Sequence, residues 1–382
     1  MDLTQLFKYM AEQRASDVYL SADAPVLVKI EGEARPISAQ KLNAGMVKKT
    51  AYSLMSAEQV QAFEATNEMN FGYSVPEVGK FRINIFRQRG DVALVARYLP
   101  GNIPSIEALG LPPVLKEQVM APRGMILVVG QTGSGKSTTL AAMIDHRNSC
   151  RTGHILSVED PIEYVHSYNK SIVNQREVGV DTASYPAALL NAVREAPDVL
   201  MIGEIRTRDT MEQAMMYAET GHLLLSTLHA NNSYHTLNRI IHFFPLDARD
   251  QVLHDLSLTL RCVISQRLIR GVDGKRVPAA EVLMNTSHVA ELIKDGKIEA
   301  IKEAMEQSLT PGSQTFEQAL YRLYKKGKIT LDEALHNADS PTNLSWLINN
   351  PPKEEAERAA AMEGAVAEFS GFTLPPNADK PS

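Results

Sequence analysis

The segment Gly130-Gln131-Thr132-Gly133-Ser134-Gly135-Lys136-Ser137-Thr138 matches the G-x-x-x-x-G-K-[ST] pattern in full. An apolar run, Met125 to Val129, precedes it, and a helical pattern with Leu140, Met143 and Ile144 on one face follows it. A strand that feeds a glycine-rich turn into a helix restricts the chain to an α/β fold of the P-loop type, and the loop reads as a nucleotide site. Gly130, Gly133 and Gly135 let the backbone turn its N–H groups toward an anion, and the helix N-terminus adds partial positive charge. In such a loop Lys136 reaches the β- and γ-phosphates and Ser137 ligates Mg²⁺.

The chain has 382 residues, a length that fits two or three domains. Hydrophobic residues make up 44% of it, yet no apolar run approaches the roughly 20 residues that span a bilayer. The start, Met1-Asp2-Leu3-Thr4, carries an acid where a secretory signal carries a base, so the expectation is a mature chain that stays inside the cell. Two cysteines, Cys150 and Cys262, lie far apart, which excludes a disulfide framework and a thiolate zinc site. A net charge of −6 weighs against a sequence-independent grip on nucleic-acid backbones.

Residues 1–99 read as a small α+β unit. Leu3, Leu6, Phe7 and Met10 give a short amphipathic helix, Val26 to Ile30 a strand broken at Glu31-Gly32-Glu33, and Met46 to Leu54 a second helix. Lys80 to Phe86 alternates apolar and polar residues, Gln88-Arg89-Gly90-Asp91 marks a turn, and Val92 to Leu99 resumes a strand. With Arg89-Gly90 as a two-residue loop, Arg82 falls directly across from Arg97. Like charges in that position destabilise a sheet, so the pair points to an anion that both meet, unless a bulge shifts the register and leaves both solvated.

Prolines at 100, 104, 112 and 113 mark a linker over 100–113. Beyond it, in 114–345, Ile126–Val129, Ile155–Val158, Val199–Ile202 and Leu223–Thr227 are short apolar runs without polar alternation, as expected of parallel strands covered on both faces. Ser257–Leu268 and Val289–Met305 read as helices of a closing subdomain. Residues 346–382 read as a flexible tail with one short helix around Ala359-Ala360-Ala361.

Polar residues follow the strands, where ligands of parallel sheets gather. Ile155–Val158 runs into Glu159-Asp160-Pro161-Ile162-Glu163, and Val199–Ile202 runs into Gly203-Glu204. ATP hydrolysis needs one group that orients water against the γ-phosphate and another that holds Mg²⁺, and these acids are the candidates, with Glu204 on the metal side. Asp209 and Glu212 read as a helix-capping pair. His222 and His229 bracket the strand Leu223–Thr227, about 20 Å apart on opposite faces, so they act separately, one near the γ-phosphate and one in packing.

In order and spacing, these segments resemble the secretion and pilus motor ATPases, and within them the type IV pilus retraction ATPases of the PilT/PilU family. The resemblance covers roughly residues 1–345: Gly130–Thr138 is similar to the family's Walker A, Glu159–Glu163 to its Asp box, Gly203-Glu204 to its Walker B and Thr220–His229 to its His box. Ser16-Asp17 and Phe81-Arg82-Ile83-Asn84 also fit. The resemblance implies a PAS-like N-terminal domain, a RecA-like motor domain, a homohexameric ring and ATP between the domains. It implies Glu163 as water-polarising base, Glu204 near Mg²⁺, His229 in the site, and Arg82 and Arg97 reaching the phosphates. It also implies a paralogous, PilT-like retraction ATPase and an inner-membrane platform protein (PilC-like) as partners. The chain would then work at the cytoplasmic face of the inner membrane, associated through partners and without nucleic acid.

Departures from the family pattern lie at Leu190, where Arg is usual, at Thr207, where Asp is usual, and at Ser287–Leu292, which replaces an Ala-Ile-Arg-Asn-Leu helix. With the longer tail, they make the chain more similar to the PilU side. Three classes of function compete: a pilus motor ATPase accessory to a second one, a nucleic-acid translocase on the same core, and a non-hydrolysing nucleotide-binding scaffold. The acidic balance disfavours the second, and retention of Glu163 and Glu204 disfavours the third.

Overall fold

The computed structural model describes residues 3–30, 32–99, 101–308 and 310–351. The first sheet contains β1 (Asp17–Leu20), β2 (Pro25–Ile30), β3 (Glu33–Lys41), β4 (Glu68–Val75), β5 (Gly79–Gln88) and β6 (Asp91–Leu99), in the order β3-β2-β1-β6-β5-β4. Its core comes from period-2 alternation. Phe81, Ile83 and Ile85 of β5 are fully buried, and Phe7 of the helix Leu3–Glu12 stacks on Phe81 with ring centroids 4.3 Å apart. The intervening residues, Arg82 and Asn84, therefore stand on the opposite face.

The β5–β6 hairpin has the register read from the sequence: Gln88 faces Asp91 and Arg82 faces Arg97. Arg89 and Gly90, both with positive φ (51° and 86°), form the two-residue loop. The first strands were only partly legible. Every residue of β3 is exposed, so no apolar pattern marks it, and it exists by pairing with β2 from Glu33 onward.

The second sheet contains β7 (Gly124–Val129), β8 (Gly153–Glu159), β9 (Ser171–Glu177), β10 (Val199–Ile202), β11 (Leu223–Leu228), β12 (Leu260–Arg270) and β13 (Arg276–Met284), in the order β13-β12-β7-β11-β10-β8-β9. All neighbours pair in parallel except β12 with β13. Met125, Leu127 and Val129 of β7 join one hydrophobic cluster, while Ile126 and Val128 join the other. Both faces are thus covered, which is why the four predicted strands carry no polar alternation. Ile106 and Leu111, from the proline-rich stretch after β6, pack into the second of these clusters.

The structure departs from the sequence expectations at three places. Ser257–Leu268 is not a helix: the helix Arg249–Thr259 ends, Leu260 turns extended (φ −62°, ψ 133°), and β12 pairs with β7. Leu253, Leu256 and Leu260 keep helical spacing across that boundary, so periodicity alone hides it. Val289–Met305 is two helices, Ser287–Lys294 and Ile301–Glu306, separated at Gly296 by positive φ (70°) and a 3₁₀ turn. The cap of the helix Arg208–Glu219 is Thr207, whose side chain accepts from Thr210 N–H; Asp209 and Glu212 lie inside the helix. Threonine at 207 thus serves the capping role that aspartate also serves. The expected helix near Ala359–Ala361 lies outside the described residues.

Candidate functional site

Gly130 and Gly133 turn the chain away from β7 with φ of 152° and 80°, and Gly135, at 89°, starts the helix Lys136–Cys150. A Cβ on Gly130 would meet Ser134 Oγ at 2.4 Å and the Gln266 carbonyl at 2.5 Å, whereas one on Gly133 would meet nothing within 4 Å. The loop is therefore pressed against β12 on one side and open on the other. Thr139 Oγ1 donates to Gln266 Oε1 at 2.6 Å, which ties the helix to the same strand. Gln266 is a supporting residue that the sequence reading missed, because it lies on the strand taken for a helix.

Lys136 Nζ donates to its own loop, to the carbonyls of Gly130 and Gln131, both at 3.0 Å. Burial lowers its pKa, while Glu204 opposes the shift. A half-buried ammonium held over the loop by the loop's own carbonyls is a group that suits a bound phosphate. Ser137 is exposed at the helix start, beside Thr138, whose Oγ1 is 2.9 Å from Tyr164 Oη.

A cleft of about 730 Å³ opens over the loop. Thr132, Gly133, Gly135, Lys136, Ser137 and Thr138 line it from below, and Glu159, Glu163, Glu204 and His229 from the strand ends. Arg97 reaches it from the N-terminal sheet. Gln131 and Ser134 instead line a smaller cleft of about 290 Å³ behind the loop, against Arg267 and Leu268.

The acids differ in environment. Glu159 is buried, accepts from Ser157 Oγ at 2.7 Å and Gln175 Nε2 at 3.1 Å, and has its pKa raised, chiefly by desolvation. Such a group holds the loop together. Glu204 binds His229 Nε2 at 2.9 Å through one oxygen and Arg206 Nη2 at 2.6 Å through the other. Burial and the Lys136 charge lower the His229 pKa, and Glu204 opposes them. His222, at the far end of β11, contacts Thr220 Oγ1 instead, so the two histidines are separate as expected. No group of three or more metal-ligating side chains occurs among the described residues. One carboxylate and one serine hydroxyl beside a phosphate loop suit Mg²⁺, which keeps waters and substrate oxygens as its other ligands.

The two hairpin arginines have unequal surroundings. Arg97 Nε donates to Asp17 Oδ1 at 2.8 Å, and Asp17, which is buried, also accepts from Ser16 Oγ. Asp17 pairs with Arg97 in register on β1, so the row across the sheet runs Asp17, Arg97, Arg82. The side-chain bond to Asp17 raises the Arg97 pKa. Arg82 does not line the P-loop cleft; it lines an adjoining one of about 750 Å³ with Asp160 and Glu177. Burial lowers its pKa, and Glu177 and Glu163 oppose that. The sequence reading placed both arginines alike and missed the Asp17 bond, which spans 80 residues.

Residues 2–336 match the model of the type II/IV secretion system protein family. The chain is similar to the type IV pilus ATPase PilU of Pseudomonas aeruginosa, at 45% identity over 95% of both chains. It is also similar to that organism's PilT, a type IV pilus retraction ATPase, at 40% identity over 90% of this chain and 100% of the other. A crystal structure of the pilus retraction motor PilT with bound ADP superposes with a TM-score of 0.84 at 43% identity, covering 90% of this chain and 99% of that one. The second sheet and its P-loop are accordingly RecA-like.

Gly130→Ala tests the loop geometry. The new methyl collides with Ser134 and Gln266 at a φ that side chains rarely adopt, so affinity for fluorescent ADP falls by about tenfold or more. Unchanged affinity contradicts the packing described.

Proposed function

Since this chain belongs to the type II/IV secretion system family, in its PilT/PilU branch of type IV pilus ATPases, we propose that it hydrolyses ATP as a homohexameric motor for pilus retraction. The observation that carries the reading is one cleft holding Lys136, Glu163, Glu204, His229 and the Asp17-anchored Arg97. Phosphoryl transfer to water requires little covalent chemistry from a protein. It requires positioning and charge compensation, and these residues supply both.

The loop N–H groups from Gly130 to Thr138 and Lys136 cradle the phosphates. Ser137 and Glu204 would hold Mg²⁺, which would supply compensating charge for the phosphates. Glu163 orients the attacking water, and His229 keeps Glu204 in place at 2.9 Å. Arg97 approaches from the opposite wall and stabilises charge that develops on the transferred group, with Arg82 joining from the adjoining cleft. Because the arginines come from the N-terminal hairpin and the acids from the motor sheet, turnover is tied to how the two sheets sit against each other. That link is a means of converting hydrolysis into motion.

The departures support an accessory role beside a second, PilT-like retraction ATPase. Leu190 is 69% exposed on the helix Tyr185–Ala192, an apolar side chain on the surface where the family carries a cation. Ser287–Lys294 is an intact helix with Thr286 as cap, but its sequence is altered. Catalytic groups retained beside changed surfaces fit a helper that couples to an inner-membrane platform protein from the cytoplasmic side. No helix among the described residues is long and apolar enough to cross a membrane.

Lys136→Ala removes a charge from the phosphates and abolishes productive nucleotide binding, whereas Glu163→Gln removes only the group that orients water. The latter variant binds ATP with near-normal affinity and loses on the order of 100-fold or more in kcat. Wild-type turnover of Glu163→Gln would transfer the role to another acid.

The accessory reading makes a cellular prediction. In cells lacking the principal retraction ATPase, this chain alone leaves fibres unretracted, and with that ATPase present it raises pulling force. Full retraction by this chain alone makes it an independent motor.

A further inference from the structure

Ile162 N–H donates to Glu177 Oε2 at 3.1 Å, so the last residue of β9 holds the main chain one position before Glu163. Glu177 is itself fixed: its N–H donates to Asp181 Oδ2 at 2.8 Å, and its carbonyl accepts from Asp181 N–H at 2.8 Å. The next residue, Val178, donates its N–H to the Glu159 carbonyl at 2.8 Å, which binds this turn to the start of the acidic segment. Glu177 also lines the cleft of Arg82. Arg82 is half-buried and forms no side-chain hydrogen bond or close ion pair among the described residues. Of the carboxylates near it, Glu177 does most to sustain its charge against burial, ahead of Glu163.

We propose that Glu177 is a positioning residue for ATP hydrolysis, coupling Arg82 of the hairpin to the main chain at Ile162 and so setting Glu163 against the attacking water. The inference rests on the reading of Glu163 as the group that orients that water. The Glu177 carboxyl accepts a backbone N–H of the catalytic loop, and Glu177 shares its cleft with Arg82 of the opposite sheet, whose charge it favours from across that cleft. Residues 160–163 lie outside any strand or helix, so no ladder fixes Glu163, and its placement depends on such single bonds. A displacement of about 1 Å at a reacting group costs on the order of 100-fold in rate, so one such bond matters. Glu177 contacts neither substrate nor metal in this scheme; it acts through Ile162 and Arg82.

The test is steady-state turnover and fluorescent-nucleotide affinity of the full-length protein with Glu177→Ala, Glu177→Gln, Arg82→Ala and the double variant Glu177→Gln/Arg82→Ala. Alanine removes both links; kcat falls by about tenfold or more, while KM and ADP affinity stay within about twofold. Glutamine keeps an oxygen for Ile162 N–H and recovers part of the loss. Its remaining defect is the lost negative charge across the cleft from Arg82, so adding Arg82→Ala to it costs less than about half the fold-change that Arg82→Ala causes alone. Turnover of Glu177→Ala within twofold of wild type, no recovery by glutamine, or multiplying effects of the two substitutions would each overturn the proposal. Where the alanine variant does not fold, the glutamine and arginine cycle decides by the same criterion. Glu163→Gln assayed in parallel separates the two claims: if it retains wild-type turnover, the base assignment is at fault and not the coupling between Glu177 and Arg82.

Discussion

Two arginines side by side on one face of a sheet repel each other, and the bond from Arg97 to Asp17 is what makes the arrangement tenable. Directly opposed like charges cost a sheet up to roughly 1 kcal/mol, and nothing in the hairpin itself offsets that. Asp17, buried on β1, supplies an opposite charge at 2.8 Å and is in turn held by Ser16. The bond fixes the guanidinium in direction as well as in charge. Arg97 so held lines both the P-loop cleft and the neighbouring one, while Arg82, without such a bond, lines the neighbouring cleft beside its carboxylates.

The motor sheet supplies the opposing charges by the ordinary logic of parallel strands. β7, β8, β10 and β11 all run the same way, so the residues that follow them emerge along one edge: Gly130, Glu159 to Glu163, Glu204 and His229. Burial on both faces makes these strands stiff supports, and the segments beyond them are irregular and polar. In the proposed reading, an ATPase assembled this way has a rigid phosphate cradle and its water-orienting acid on a loop. The N-terminal sheet contributes the remaining cation from outside. In that reading the rate depends on the seating of one unit on the other, which is the property a motor requires.

Legibility in the sequence followed the range of the interactions involved. The P-loop, the four central strands and the hairpin register are set by local chemistry: glycines, apolar runs and a two-residue turn. β12 was hidden because Leu253, Leu256 and Leu260 continue a helical spacing into a strand, and only the ladder to β7 separates the two. Gln266 was lost with it. β3 and β9 carry too few buried residues to stand out, so Glu177 at the end of β9 carried no signal at all. Asp17 and Tyr164 meet their partners only through tertiary packing. The acids after the strands were visible as a set, but their division was not: Glu159 is buried and hydrogen-bonded, Glu163 faces the cleft, and Glu204 is clasped by His229 and Arg206.

The central claim is that the N-terminal hairpin completes the ATP site through Arg97. Single-turnover and steady-state hydrolysis by Arg97→Gln, beside its affinity for ADP, tests it most directly, because glutamine still offers Asp17 a donor and spares the fold a buried unpaired carboxylate. The account predicts a fall in kcat on the order of 100-fold with ADP affinity retained within about threefold, as expected for a charge that acts on the transition state. Turnover equal to that of the unsubstituted protein would contradict it and return the whole of catalysis to the motor sheet.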